Sequence, residues 1–225
     1  MTLAGICLYF AFVLGLWASL DRPPLRTMGE TRLWYAFFMP VVGILVYSRW
    51  KYKWILSFST LMSTVFTMIN LFRPEIHDES LMPALQSWWF IPHVTVYMFS
   101  YSLLGCAFIL ACVSLFRKTD EYLPAADTLV YIGLAFLSLG MLSGSLWAKQ
   151  AWGTYWNWDP KETWAAITWC IYLIYIHLRL VQRNAKRGSL AALLIAGFIG
   201  LQMCWWGVNY LPSAQGSQHV YSGGR

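Results

Sequence analysis

Trp147-Ala-Lys-Gln-Ala-Trp-Gly-Thr-Tyr-Trp-Asn-Trp-Asp-Pro-Lys-Glu-Thr-Trp164 holds five of the chain's fourteen tryptophans. Long apolar runs flank it on both sides, which predicts a connecting loop between two helices rather than part of a core. Exposed indole costs solubility unless something covers it, so a loop this aromatic suits a flat, apolar ligand. The plainer reading is the enrichment of tryptophan at membrane interfaces, which accounts for one or two of these rings. The end of the stretch reads as a helix start, with Asp159 as N-cap, Pro160 as first helical residue and Glu162 closing a capping box. Capping alone is a sufficient role for Asp159 and Glu162.

The flanks set the class of protein. Hydrophobic residues make up 58% of the 225 and charged residues 12%, about half the charge of a soluble domain. Seven apolar runs approach the length of about 20 residues that a bilayer requires: Leu3–Leu20, Leu33–Tyr47, Trp54–Phe72, Pro92–Phe116, Thr128–Trp147, Thr163–His177 and Ser189–Val208. The second is short and contains Pro40. The first has no small-residue cleavage site before Asp21 and is expected to remain as a span. The expected fold is an all-α polytopic membrane protein. It has about seven transmembrane helices, a tryptophan-rich external loop at about 147–164, and one integral membrane domain over 1–225.

Lysine and arginine orient the spans. Alternate loops are short and basic: Arg49 to Lys53 holds three, Arg117-Lys118 two and Arg179 to Arg187 four, which is nine of the sixteen basic residues. These loops are expected on the cytoplasmic side. The N-terminus is then inside, and the tryptophan loop and C-terminus face the periplasm or other outer compartment. The net charge of +6 follows from this asymmetry and calls for no nucleic acid. The first outer loop, Arg22-Pro-Pro-Leu-Arg-Thr-Met-Gly-Glu-Thr-Arg32, carries three arginines. They are expected to be solvated, as charged loop residues usually are, with contact to a haem propionate or a partner as the sharper alternative.

Five cysteines lie singly in apolar segments, with no C-x-x-C and no C-x-x-C-H, so the chain does not look like a c-type cytochrome or a thiol-disulfide enzyme. Four histidines remain. His77 sits among Glu75, Asp78 and Glu79 and reads as solvated. His93 follows Pro92 and Trp88-Trp89, which puts it at the outer surface of the fourth span. His219 lies in the outer tail. By composition alone both read as interface residues. His177 lies 18 residues past Asp159, about 27 Å along a helix and close to the far side of the hydrocarbon core. It is either a functional intramembrane histidine or one that snorkels beside Arg179.

Trp152-Gly153-x-x-Trp156-x-Trp158-Asp159-Pro160-Lys161-Glu162-x-Trp164 closely resembles the tryptophan-rich "WWD" signature of haem-handling proteins, in the CcsA (ResC-like) branch of cytochrome c assembly. The segment Trp88 to Tyr101 resembles that family's first external-histidine segment, and Ser217-Gln-His-Val-Tyr221 its second. The resemblance extends from the Pro23-Pro24 loop to Tyr221. The family continues into a further span after that histidine, whereas this sequence stops at Arg225.

The resemblance implies a haem-handling subunit of a cytochrome c synthase, part of a haem lyase complex. Such a subunit carries b-type haem in transit to the outer face, in a bacterial plasma membrane or a thylakoid. Trp152, Gly153, Trp156, Trp158, Asp159 and Trp164 would form the haem shelf. His93 and His219 would be axial ligands to external haem iron, and His177 a ligand within the membrane. Paired imidazoles leave no open position on iron. Lys149 and Lys161 are candidates for the propionates, or solvated interface lysines. The implied partners are a ResB/CcsB-like membrane subunit, apocytochrome c and lipid. The alternatives are CcmC-like delivery of haem to a chaperone and a b-type membrane electron carrier.

Overall fold

The computed structural model of the chain describes residues 1–73, 83–182 and 185–212. Among these, seven long helices and two short 3-10 turns carry the regular structure: α1 Thr2–Leu20, α2 Met28–Trp50, α3 Lys53–Phe72, α4 Phe90–Phe116, α5 Leu123–Trp152, α6 Pro160–Val181 and α7 Arg187–Trp205. All seven are long and apolar enough to cross a membrane. In hydrocarbon every backbone polar group must be satisfied within the protein, and helices do this segment by segment. The chain is an integral membrane protein with an all-α fold.

The helices run antiparallel in sequence. The α4–α5 pair is the most extensive contact, α2–α3 and α6–α7 are hairpins, and α4 also meets α2 and α7. The bundle therefore centres on α4, whose Leu103, Leu104, Cys106, Ala107 and Leu110 are buried. Helix α1 packs mainly on α2 and leaves most of its surface outward. The alternation brings the α1–α2 connection, the start of α4, the 153–159 loop and the end of α7 to one end. The links after α2, α4 and α6, with their lysines and arginines, lie at the other.

Helix α2 is longer than its apolar run. Pro40 sits inside it and lacks an N–H, so the Ala36 carbonyl loses its helical donor. The Ser63 hydroxyl of α3 donates to that carbonyl at 2.6 Å and fills the gap, so the helix continues to Trp50. At its start, Thr27 and Glu30 form a reciprocal capping box. This extends the helix back across Glu30 and Arg32, which the apolar pattern excludes.

The arginines of this connection are not solvated as expected. Arg22 and Arg26 are 7% and 8% exposed, and Glu30 is fully buried. Arg22 donates to both Glu30 oxygens at 2.8 and 3.0 Å, and the Arg26 and Thr27 backbone N–H groups donate to Oε2. A carboxylate held by a bidentate guanidinium and two peptide donors meets the condition under which a buried ion pair is tolerated. Nearby, the Trp34 indole donates to the Pro24 carbonyl at 2.9 Å.

Candidate functional site: the tryptophan end

The tryptophan stretch divides differently from its sequence reading. Helix α5 runs on to Trp152, and Trp147 is buried in the core. Only residues 153–159 form the connection, rather than the whole of 147–164. Gly153 closes α5 in the left-handed conformation, φ 83°, with its N–H donating to the Lys149 carbonyl. This is a helix stop that glycine adopts without strain. The Lys149 ammonium donates to the Gly153 carbonyl at 2.7 Å and lies over the Tyr155 ring at 5.3 Å.

The capping box at α6 is present as expected. Asp159 Oδ1 accepts from the Lys161 N–H at 2.9 Å, and Glu162 Oε2 accepts from the Asp159 N–H at 3.1 Å. Glu162 reaches further: the same oxygen accepts from the Asn157 N–H at 2.8 Å. The residue spanned by these two bonds is Trp158, at φ 56°. A bulky side chain in the left-handed region is an outlier that costs about 1–2 kcal/mol. The carboxylate on either side of it and the Thr163 hydroxyl on its carbonyl hold it there. The result is an indole 71% exposed on a backbone fixed from below. Trp156 meets Trp158 edge to face at 5.8 Å, and its own indole N–H is buried without a partner among the described residues. Trp152 is half-buried, edge-on to Trp147 at 4.7 Å. Trp164 lies one turn into α6, also half-buried.

His93 stands in the first turns of α4. Its ring lies on Trp147 of α5, stacked at 5.4 Å, with Tyr97 edge-on at 4.6 Å. Its Nδ1 is 2.8 Å from the Gly140 carbonyl. A carbonyl only accepts, so Nδ1 carries a proton and donates. In the neutral ring this leaves the lone pair on Nε2. This tautomer is the one a metal-ligating histidine takes when its other nitrogen is anchored to a carbonyl. The ring can lie so close to α5 because of two glycines absent from the sequence candidates. A Cβ on Gly140 would stand 2.5 Å from Tyr97, and one on Gly144 2.6 Å from His93. Gly140-Met-Leu-Ser-Gly144 has the Gly-x-x-x-Gly spacing that marks close helix contact in membranes, and that signal would have found them.

These residues fit haem. The tautomer of His93 is one that can donate from Nε2, the glycine cradle seats the imidazole, and Trp147 and Tyr97 pack against it. Trp88, Trp206 and Tyr210 add further exposed rings at this end. The structure brings His93, Trp152, Gly153, Trp156, Trp158, Asp159 and Trp164 to one end of the bundle. His219 and His77 lie outside the described residues. His177 belongs to the opposite end: it is exposed on α6, one turn before that helix stops. Tyr175 and Arg179 beside it both donate to Asp127 of α5. Lys161 is half-buried, and its backbone carbonyl accepts from the Cys204 thiol of α7.

The described residues define a class: a polytopic helical membrane protein that anchors a histidine of α4 on α5, at the end carrying a tryptophan-rich connection. Residues 28–214 match the model of the cytochrome c assembly protein family, and the chain belongs to that family, of the CcsA type. Over 92% of its length it is 32% identical to cytochrome c biogenesis protein CcsA of Solanum lycopersicum, and the match covers 82% of that protein. It is 30% identical to the CcsA of Phalaenopsis aphrodite subsp. formosana over 89% of its length, covering 80% of that protein. To the CcsA of Chlamydomonas reinhardtii it is 37% identical over 68% of its length, covering 46%.

Proposed function

We propose that, within the role in cytochrome c biogenesis that its family gives it, the chain receives haem as cargo and holds it at the tryptophan end for covalent attachment to apocytochrome c. The observation that carries this is the anchored ring of His93, whose Nδ1 donates to the Gly140 carbonyl and so fixes the tautomer in which Nε2 is the nitrogen that can bind iron. His219 supplies the second axial bond in this reading. Trp152, Trp156, Trp158 and Trp164 cover the macrocycle, with Gly153 and Asp159 setting the two ends of the loop, and Lys149 and Lys161 are near for the propionates. The cargo supplies vinyl groups, to which the reduced thiols of the C-x-x-C-H motif add. The protein supplies orientation and exclusion of water.

The basic end faces the cytoplasm by the distribution of lysine and arginine, and the tryptophan end faces outward. His177, exposed on α6, is where haem is first met within the membrane, and its second ligand comes from another chain such as a ResB/CcsB-like subunit. The test uses the chain purified with that membrane partner. His93→Ala should convert a six-coordinate, low-spin haem spectrum to five-coordinate and stop cytochrome c maturation. Added imidazole should restore part of both, because it fills a ligand vacancy and cannot rebuild packing. A six-coordinate spectrum and normal maturation in both His93→Ala and His219→Ala would sink the reading. His77→Ala is the control.

A further inference from the structure

We infer that Gly140, Ser143 and Gly144 of α5 are positioning residues that aim His93 at the iron and set how strongly it binds. Gly144 makes the geometry possible, and Ser143 tunes it. This rests on the reading of His93 as an axial ligand.

The hydrogen bond from Nδ1 to the Gly140 carbonyl requires the imidazole to lie against the backbone of α5. A Cβ at position 144 would stand 2.6 Å from both Cε1 and Nδ1, closer than such atoms approach. Two sides of the ring are closed. Trp147 covers one face at 5.4 Å and Tyr97 stands against it at 4.6 Å. Tyr97 cannot retreat toward α5, because it already occupies the space above Gly140. The remaining escape is rotation of His93 away from α5, which breaks the bond to Gly140 and turns Nε2 off its axis.

Ser143 acts on the same carbonyl. Its hydroxyl is 3.1 Å from the Gly140 oxygen and 2.9 Å from that of Leu139. The Gly140 oxygen also receives the helical N–H four residues on. Three donors thus compete for one carbonyl with two lone pairs. The share left to His93 governs how much electron density Nε2 offers. Removing the Ser143 hydroxyl strengthens the Nδ1–H bond, makes the imidazole more basic and favours ferric over ferrous iron.

The experiment uses the full chain with its membrane partner, titrated with haemin, and compares five proteins: unaltered, His93→Ala, Gly144→Ala, Ser143→Ala and Gly133→Ala. Gly133→Ala is the packing control, since a Cβ there would stand 2.7 Å from Leu104 in the same α4–α5 interface, away from His93. Gly144→Ala should lose the low-spin spectrum, bind haemin roughly 10- to 100-fold more weakly, and regain the spectrum with imidazole. Gly133→Ala should keep it. Ser143→Ala should keep the spectrum and shift the haem midpoint potential downward.

If His93→Ala itself retains the low-spin spectrum, the ligand reading fails. If His93→Ala loses the spectrum and Gly144→Ala keeps it with unaltered haemin affinity, the positioning inference alone fails. Equal losses in Gly133→Ala and Gly144→Ala also overturn it, as generic packing damage. Should Gly144→Ala not accumulate, Ser143→Ala decides, because it adds no atom, and an unchanged potential overturns the inference.

Discussion

Glu162→Ala should open the 153–159 loop without unfolding the bundle. One carboxylate oxygen accepts the Asn157 N–H at 2.8 Å and the Asp159 N–H at 3.1 Å. Each such bond at a partly solvated site contributes about 1–1.5 kcal/mol, so removing the acceptor lowers the free energy of loop opening by about 2–3 kcal/mol. Each 1.4 kcal/mol is tenfold, and amide exchange at Asn157 and Asp159 should accelerate roughly 30- to 100-fold while the cores of α4 and α5 stay protected. Glu162→Gln keeps an acceptor without the charge and should produce about half the free-energy change. Trp158→Asn should move the other way. Asparagine tolerates the left-handed backbone that Trp158 occupies at φ 56°, so about 1 kcal/mol of strain disappears and exchange slows about fivefold. Exchange at Asn157 and Asp159 that is unchanged in Glu162→Ala would refute the claim that this carboxylate holds the loop.

Three further outcomes follow from the same structure. Glu30→Ala leaves the Arg22 guanidinium buried without its carboxylate and should destabilise the bundle by about 3–5 kcal/mol, seen as a lower thermal midpoint in detergent; Arg22→Met with Glu30→Leu should recover part of the loss, and a midpoint unmoved by Glu30→Ala would count against the buried pair. Asp159→Ala should weaken the start of α6 by about 1 kcal/mol and reduce cytochrome c maturation, whereas Asp159→Asn should do neither; asparagine failing as badly as alanine would show a role beyond the cap. Accessibility reporters at Thr154 and at Lys118 should report opposite compartments, and the same compartment for both would overturn the topology.

Most of the fold was legible because a bilayer imposes one simple length on every span. The errors occur where a polar residue is satisfied by something distant in sequence. The charges of Glu30 and Arg32 lie outside the expected second span and Pro40 lies inside it, but the donor that replaces the missing N–H of Pro40 is Ser63, on another helix. The buried state of Arg22 depends on a bidentate contact eight residues away, across a turn that no periodicity reports. Thr27-x-x-Glu30 does have capping-box form, and it was the available hint. At the site, Asp159 and Glu162 were readable because caps are local. His93 is marked by the family resemblance and not by spacing. Its anchoring on Gly140 depends on which face of α5 meets α4; the Gly140-x-x-x-Gly144 spacing marks that face but not the residue of α4 that meets it.

The Trp205 indole donates to the Thr31 hydroxyl, 174 positions earlier in the chain, and its ring packs on Tyr35 and Tyr101. This has a consequence for biosynthesis. At about 5–20 residues per second, a ribosome releases α2 roughly 10–35 s before α7 is available to it. Through that time α4 is without the α7 contact, and Tyr35 and Tyr101 are without the Trp205 ring. Order of synthesis therefore works as a timer: the contact between Trp205 and Thr31 forms only after α2 to α6 have all been made. A chain without α7 lacks the partner that covers this side of α4.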